Sequence, residues 1–232
     1  MAALVTFVLY LALGAGAVQA QGQGLAAVGP NGAHGFPLFF QDRQGLALEP
    51  CLVQPTTATP VPDPCFLAGS LPLGDASPIV FPSNFPDEFF WMRATADMGG
   101  VGGNTNNRAV LVLALEGAFA GALADGQQIV FARFRLRVDG LVAGQTYKVI
   151  YPYGEQSFQA VSTTDGRRMI NVTDDQGCLA VPCGTFDGVL TSTNVGPFLQ
   201  WDPSVAPSAP EGFIGDPAVT HAITGSTFPD HN

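Results

Sequence analysis

From Gln128 to Val138 the chain reads Gln-Ile-Val-Phe-Ala-Arg-Phe-Arg-Leu-Arg-Val. An extended strand turns successive side chains to opposite faces. Val130, Ala132, Phe134, Leu136 and Val138 therefore share one face, and Arg133, Arg135 and Arg137 share the other. Period-two alternation of this kind is the clearest β signal a single sequence carries. The next apolar-rich run, Thr146 to Tyr151, is β-branched and aromatic, and Asp139-Gly140 and Ala143-Gly144 punctuate the gap. The two runs are expected to be neighbouring, antiparallel strands and the centre of the fold.

The rest of the chain is read around that pair. Strands are expected at Gly45–Glu49, Glu88–Ala96, Arg108–Glu116, Ser157–Val161, Arg167–Val172, Phe186–Leu190 and Val219–Thr224. Asp165-Gly166 is a hairpin turn signal between two of them. Prolines at 55, 60, 62, 64, 72, 78 and 82 forbid a central strand or long helix between Pro50 and Pro82. Gly99 to Asn107 is a Gly/Asn-rich turn, and Ala118 to Ala124 reads as a short helical turn weakened by Gly121. Many short strands with frequent turns and almost no helix point to an all-β fold, an antiparallel β-sandwich of the immunoglobulin or fibronectin-III type with long Pro/Gly-rich loops.

Residues 1–20 are almost wholly apolar and uncharged, and Val18-Gln19-Ala20 places small residues as a signal-peptidase site requires. The expected organisation is a signal peptide over 1–20, a flexible Gly/Ala-rich segment over 21–35, one sandwich domain over 36–225, and a tail over 226–232. An exported chain with four cysteines suggests disulfides. Cys51 with Cys65 and Cys178 with Cys183 are favoured because each pair brackets a Pro-containing loop, although three pairings are possible. A zinc site is weakly supported, since there is no Cys-x-x-Cys and no nearby His pair.

The chain carries 19 carboxylates against 9 basic residues, a net charge of −10. That balance argues against nucleic acid and against an anionic membrane surface, which both require positive fields. Charged residues make up 12% of the chain, against a usual ~25%. A surface with so little charge is covered by Ser, Thr, Asn and Gly, coated with sugar, or packed against a partner.

The segment Val138-Asp139-Gly140-Leu141-Val142-Ala143-Gly144-Gln145-Thr146-Tyr147-Lys148-Val149 resembles the Leu-x-Pro-Gly-x-x-Tyr-x-Val corner of fibronectin type III domains, with Ala143 in place of the proline. The resemblance covers about 15 residues; it implies sandwich architecture and no activity. The stretch through Tyr151-Pro152-Tyr153-Gly154 is similar to segments of uncharacterised secreted bacterial and fungal proteins. Ala33-His34-Gly35 resembles the junction at which lytic polysaccharide monooxygenases begin after signal removal. That resemblance implies a copper site with His34 as first ligand and His221 as candidate second. It requires cleavage at Ala33 rather than Ala20, because an internal His34 has no α-amino group to offer.

Other chemistry is sparse. There is no Gly-x-Ser-x-Gly elbow, and a Ser–His–Asp triad would have to be built around His221. Asp87 with Glu88, and Asp174 with Asp175, are carboxylate pairs, but neighbours on a strand point to opposite faces and form no ready acid/base couple. Asp174-Asp175-Gln176-Gly177 reads as a loop, a candidate for Ca²⁺ or a solvated turn. Tyr151, Tyr153 and Trp201 are candidates for stacking on sugar, with Tyr151-Pro152-Tyr153 the best surface stretch, while Trp91 is expected in the core. The arginine ladder is expected to face carboxylates of a neighbouring strand or of another copy. Asn171-Val172-Thr173 is an N-glycosylation sequon.

The expected function is that of a secreted, non-catalytic protein for extracellular binding or assembly. Its partner would be a glycan, a protein or a second copy, with no nucleic acid, no membrane after signal removal and no cofactor. The alternative is a secreted polysaccharide-active enzyme, either copper-dependent or a carboxylate glycosidase.

Overall fold

A computed structural model describes residues 24–52 and 78–200. Nine strands occur in chain order: β1 Leu25–Val28, β2 Phe40–Asp42, β3 Ala47–Leu48, β4 Glu88–Gly99, β5 Arg108–Phe119, β6 Gln128–Val138, β7 Thr146–Tyr151, β8 Gly154–Gln159 and β9 Ile170–Cys178. They form three antiparallel sheets, ordered β1-β2-β3, β4-β5-β6-β9 and β7-β8.

The alternating face of β6 is what the sheet is built around. Val130, Ala132, Phe134, Leu136 and Val138 are all buried. On either side of them, β5 and β9 hold the strand in register, with Leu113 opposite Phe134 on one side and Asp174 on the other. The Phe134 ring lies 5.0 Å from Tyr151 and 5.9 Å from Phe158, so the β7-β8 hairpin covers this face. Further along, Phe36, Phe40, Phe85, Phe89 and Trp91 fill the same core. Phe36 meets Phe89 and Phe119 edge-on at 4.8 and 5.1 Å, a geometry that adds about 0.5–1.5 kcal/mol per pair beyond area burial. Gly117 permits this packing, since a Cβ there would stand 2.6 Å from the Phe89 ring.

A bulge in β4 sets its outer face. The register with β5 shifts between Phe90 and Met92, which puts Phe90 opposite Glu116 and Arg93 opposite Ala114. One extra residue in a strand reverses the facing of everything beyond it. Arg93 thereby joins Phe90 on the outer face, with its guanidinium 5.3 Å from the ring.

Several expectations from sequence are corrected. The segment over 21–35 contains β1, paired to β2, with Leu25 buried; its order comes from the partner strand, not from any alternation of its own. β6 and β7 do not pair with each other: β7 pairs with β8 in a separate sheet. Alternation specifies which face is buried, but not which strand lies alongside. The Arg167–Val172 strand begins later and runs longer, as β9, so that Asp174 and Asp175 lie within a strand rather than a loop. Residues Ala118 and Phe119 continue β5, with no helical turn after them, and Asp187–Thr191 is a 3-10 turn where a strand was expected. The expected strand Val219–Thr224 lies outside the described residues.

Candidate functional site

A groove of about 500 Å³ runs between the end of β8 and the start of β9. Its apolar wall comes from Phe158, Val161, Met169, Ile170 and Val172, and its polar rim from Thr163, Arg167, Arg168 and Asn171. Volumes of roughly 300–1,000 Å³ with a mainly apolar lining and a few polar groups are typical of ligand sites. Val161 is 56% exposed here.

Asp139, at the end of β6, holds the rim together. Its Oδ1 accepts the Arg168 N–H at 2.8 Å, and its Oδ2 accepts Arg167 Nη1 at 2.9 Å and the Arg108 N–H at 3.3 Å. Desolvation pushes the carboxyl up, but these donors outweigh it and hold Asp139 below its ordinary value. Gly140 follows at φ 68°, where a Cβ would collide with the Asn107 amide at 1.8 Å, so the turn out of β6 requires glycine. Arg168 itself has φ 49°, a left-handed conformation that costs a non-glycine residue on the order of 1–3 kcal/mol. The strain is held by Asp139, and it presents an exposed guanidinium at the groove. Thr163 Oγ1 is buried at the same rim without a hydrogen-bond partner.

A second constellation sits on the outer face of the four-stranded sheet. Arg133 donates from Nη1 to both oxygens of Glu116, at 3.1 and 3.0 Å. It also makes a two-point contact with Asp175, Nε to Oδ1 at 2.8 Å and Nη2 to Oδ2 at 2.9 Å. Glu88 lies 3.7 Å from the same guanidinium, and the Phe131 ring lies 4.8 Å from it. Glu116 is 2% exposed. Burial, followed by the hydrogen bond and charge of Glu88, pushes its carboxyl up to about 9 against the pull of Arg133. The expectation that the arginine ladder faces carboxylates of neighbouring strands is met at Arg133. Three carboxyl groups from three strands do converge there, but Glu116 is sealed from any sugar.

The candidates named from sequence are dispersed. His34 packs on Phe85 and Phe36, its Nδ1 accepts the Phe36 N–H at 3.1 Å, and burial lowers its pKa. It follows β1 in the chain, so its nitrogen is a peptide amide, and its carbonyl accepts Gln128 Nε2. With Nδ1 so engaged, Nε2 is the ring nitrogen left to His34 in this arrangement. His221 and Trp201 lie outside the described residues. Asp174 and Asp175 face opposite ways: Asp175 is taken by Arg133, while Asp174 Oδ2 accepts Asn194 Nδ2 at 2.9 Å and Gln176 Nε2 at 2.7 Å. The two carboxylates therefore do not converge on one point. Among the described residues no group of three or more His, Cys, Asp or Glu is placed to hold a metal ion.

Tyr153 is not a surface residue; it is 4% exposed and its hydroxyl donates to the Pro197 carbonyl at 3.0 Å. Tyr151 is half-buried against Phe134, and its hydroxyl accepts Gln156 Nε2. Tyr153 offers no stacking face, because Gly196 and Pro197 lie against it. Trp91 is in the core as expected. Cys178 and Cys183 form a disulfide; Cys51 is buried and disulfide-bonded, and its favoured partner, Cys65, lies outside the described residues. Asn171 is exposed on β9.

Sequence reasoning missed the groove, because its residues come from two strand ends and a turn with no shared motif. It also missed Glu116, whose one signal was a carboxylate closing an apolar strand while three arginines on β6 awaited partners. The chain matches no protein-family model, no curated protein and no solved structure.

Proposed function

We propose that this chain is a secreted β-sandwich module that binds an extracellular glycan or protein, with the groove between β8 and β9 as its ligand site. The observation that carries the reading is the groove itself, an apolar cleft of about 500 Å³ whose cationic rim is maintained by a strained arginine. Strain at an exposed rim is a cost that stability alone does not call for. Secretion is supported by the apolar segment over 1–20 and by the Cys178–Cys183 disulfide. Among the described residues no helix is long and apolar enough to cross a membrane. The sandwich reading is supported by the β7-β8 hairpin lying on the inner face of the larger sheet, and by Tyr147, whose hydroxyl accepts the Val142 N–H at 2.8 Å, the bond that closes a tyrosine corner.

The test is a binding screen on arrays of extracellular polysaccharide oligomers and peptides, comparing the wild type with Val161→Asp. Val161 is largely exposed, so this variant folds. The expected result is at least one ligand retained by the wild type and weakened tenfold or more in the variant. A ligand held equally by both, or none on either array, refutes the groove as the site.

A further inference from the structure

Arg133, Arg135 and Arg137 stand in one file on the outer face of β6, with alternate residues about 6–7 Å apart. Only Arg133 is neutralised. Arg135 donates from Nε to Thr173 Oγ1 at 3.2 Å, and Arg137 Nε is buried with no hydrogen-bond partner. Neither has an ion-pair partner among the described residues; their cross-strand neighbours are Val112 and Thr173, and Val110 and Asn171. The nearest acid in that row on β4, Asp97, is already taken by Arg108.

This arrangement is not what stability favours in a chain of net charge −10. Carboxylates are plentiful, yet two adjacent guanidinium groups are left to repel each other across a partly desolvated sheet face. Like charges held close together repel, the more so where water is partly excluded, and a buried donor without an acceptor costs more than one left in water. An oxyanion between the two arginines would remove both costs at once. It would accept from two planar donor forks, and Arg137 Nε would gain its acceptor on turning outward to the anion. Guanidinium groups recognise carboxylate and sulfate by such paired, charge-assisted bonds. Thr173 and Asn171 flank the strip with a hydroxyl and an amide suited to a neighbouring sugar hydroxyl.

We infer that the Arg135–Arg137 strip is an oxyanion-binding site, taking a sulfate or carboxylate group of the kind carried by acidic extracellular polysaccharides. Asn171 is opposite Arg137 and also lines the groove, so the strip adjoins the groove without sharing its cationic rim. The inference goes beyond the groove reading and does not rest on it: Val161→Asn, which alters the groove without adding charge, leaves oxyanion binding unchanged.

The experiment uses full-length mature protein from a host that does not modify Asn171. Proton–nitrogen correlation spectra of the arginine Nε–H groups are followed while sodium sulfate is titrated against sodium chloride at matched ionic strength. The two signals are assigned by their loss in Arg135→Ser and Arg137→Gln, and circular dichroism checks that each variant is folded. Saturable movement of both signals with sulfate is expected, weakened at least tenfold at one arginine when the other is replaced, and unaffected by Arg43→Gln on the distant β2–β3 turn. In a second arm, a galacturonate oligomer competes with sulfate and its methyl ester does not. Movement with sulfate and no competition by the oligomer supports the oxyanion site and rejects the uronate as its source. Movement that does not saturate, or that is the same in Arg43→Gln and the two strip variants, overturns the inference.

Discussion

Replacing Glu116 by Gln should remove most of the pH dependence of stability above neutrality. Glu116 is buried on the outer sheet face beside Glu88 and beneath Arg133, with Asp175 and Arg93 as the other charged neighbours, and its carboxyl titrates at about 9. In the unfolded chain it titrates near 4.5. The native state thus holds a proton that the unfolded state has lost, and it does so throughout the interval between those values. Stability from this group is fully present below the unfolded value and is lost as pH rises through the folded one. The limiting slope for one proton is about 1.4 kcal/mol per pH unit. From pH 7.0 to 8.5 that amounts to roughly 2 kcal/mol, or about 4–8 °C in Tm for a domain of this size. This window also lies above the titration of His34, whose lowered pKa gives the opposite sign at acid pH. Glutamine keeps the shape and the neutral hydrogen-bonding role, and it does not ionise. Thermal melts of wild type and Glu116→Gln at the two pH values decide the matter: the wild type should lose several degrees more than the variant. Parallel losses would show that Glu116 is ionised in the native state and that Arg133 outweighs its burial.

Two further outcomes follow from the same faces and links. Phe134→Asp should abolish folding, since it places a charge at a position 0% exposed between Tyr151 and Phe158, whereas Arg135→Ser should fold; equal melting temperatures would reverse the face assignment. Cys178→Ser should cost on the order of 2 kcal/mol on the loop-entropy account of a short closed loop, read as a shift in the urea midpoint at unchanged slope. Recovery of intact Cys178 and Cys183 thiols from unreduced protein would remove the basis of that figure.

The faces of β6 were legible because side-chain alternation is a local property: burial of Phe134 and the outward facing of Arg135 follow from a strand having one core side. The expected strands Glu88–Ala96 and Arg108–Glu116 are there as β4 and β5, though each extends further than the sequence suggested, because pairing across a sheet continues as long as both partners can supply hydrogen bonds. The loop reading of Asp174-Asp175 failed for the same reason: polar residues unfavourable in an isolated strand are held extended by the register with β6, where Arg133 and Asn194 satisfy them.

Composition and periodicity determined that this chain is mostly β and which face of its central strand is buried. Tertiary structure alone decided which strands are neighbours, that Tyr153 is core rather than surface, that three carboxyl groups meet at Arg133 while Arg135 and Arg137 go without, and that a groove opens beside Arg168. The reason is one of range. Facing depends on the residues next in the chain, whereas partnership, desolvation and clefts depend on groups brought together from distant positions, such as Arg133 with Asp175 and Asp139 with Arg167. Interactions of that kind leave no periodic trace in a single sequence.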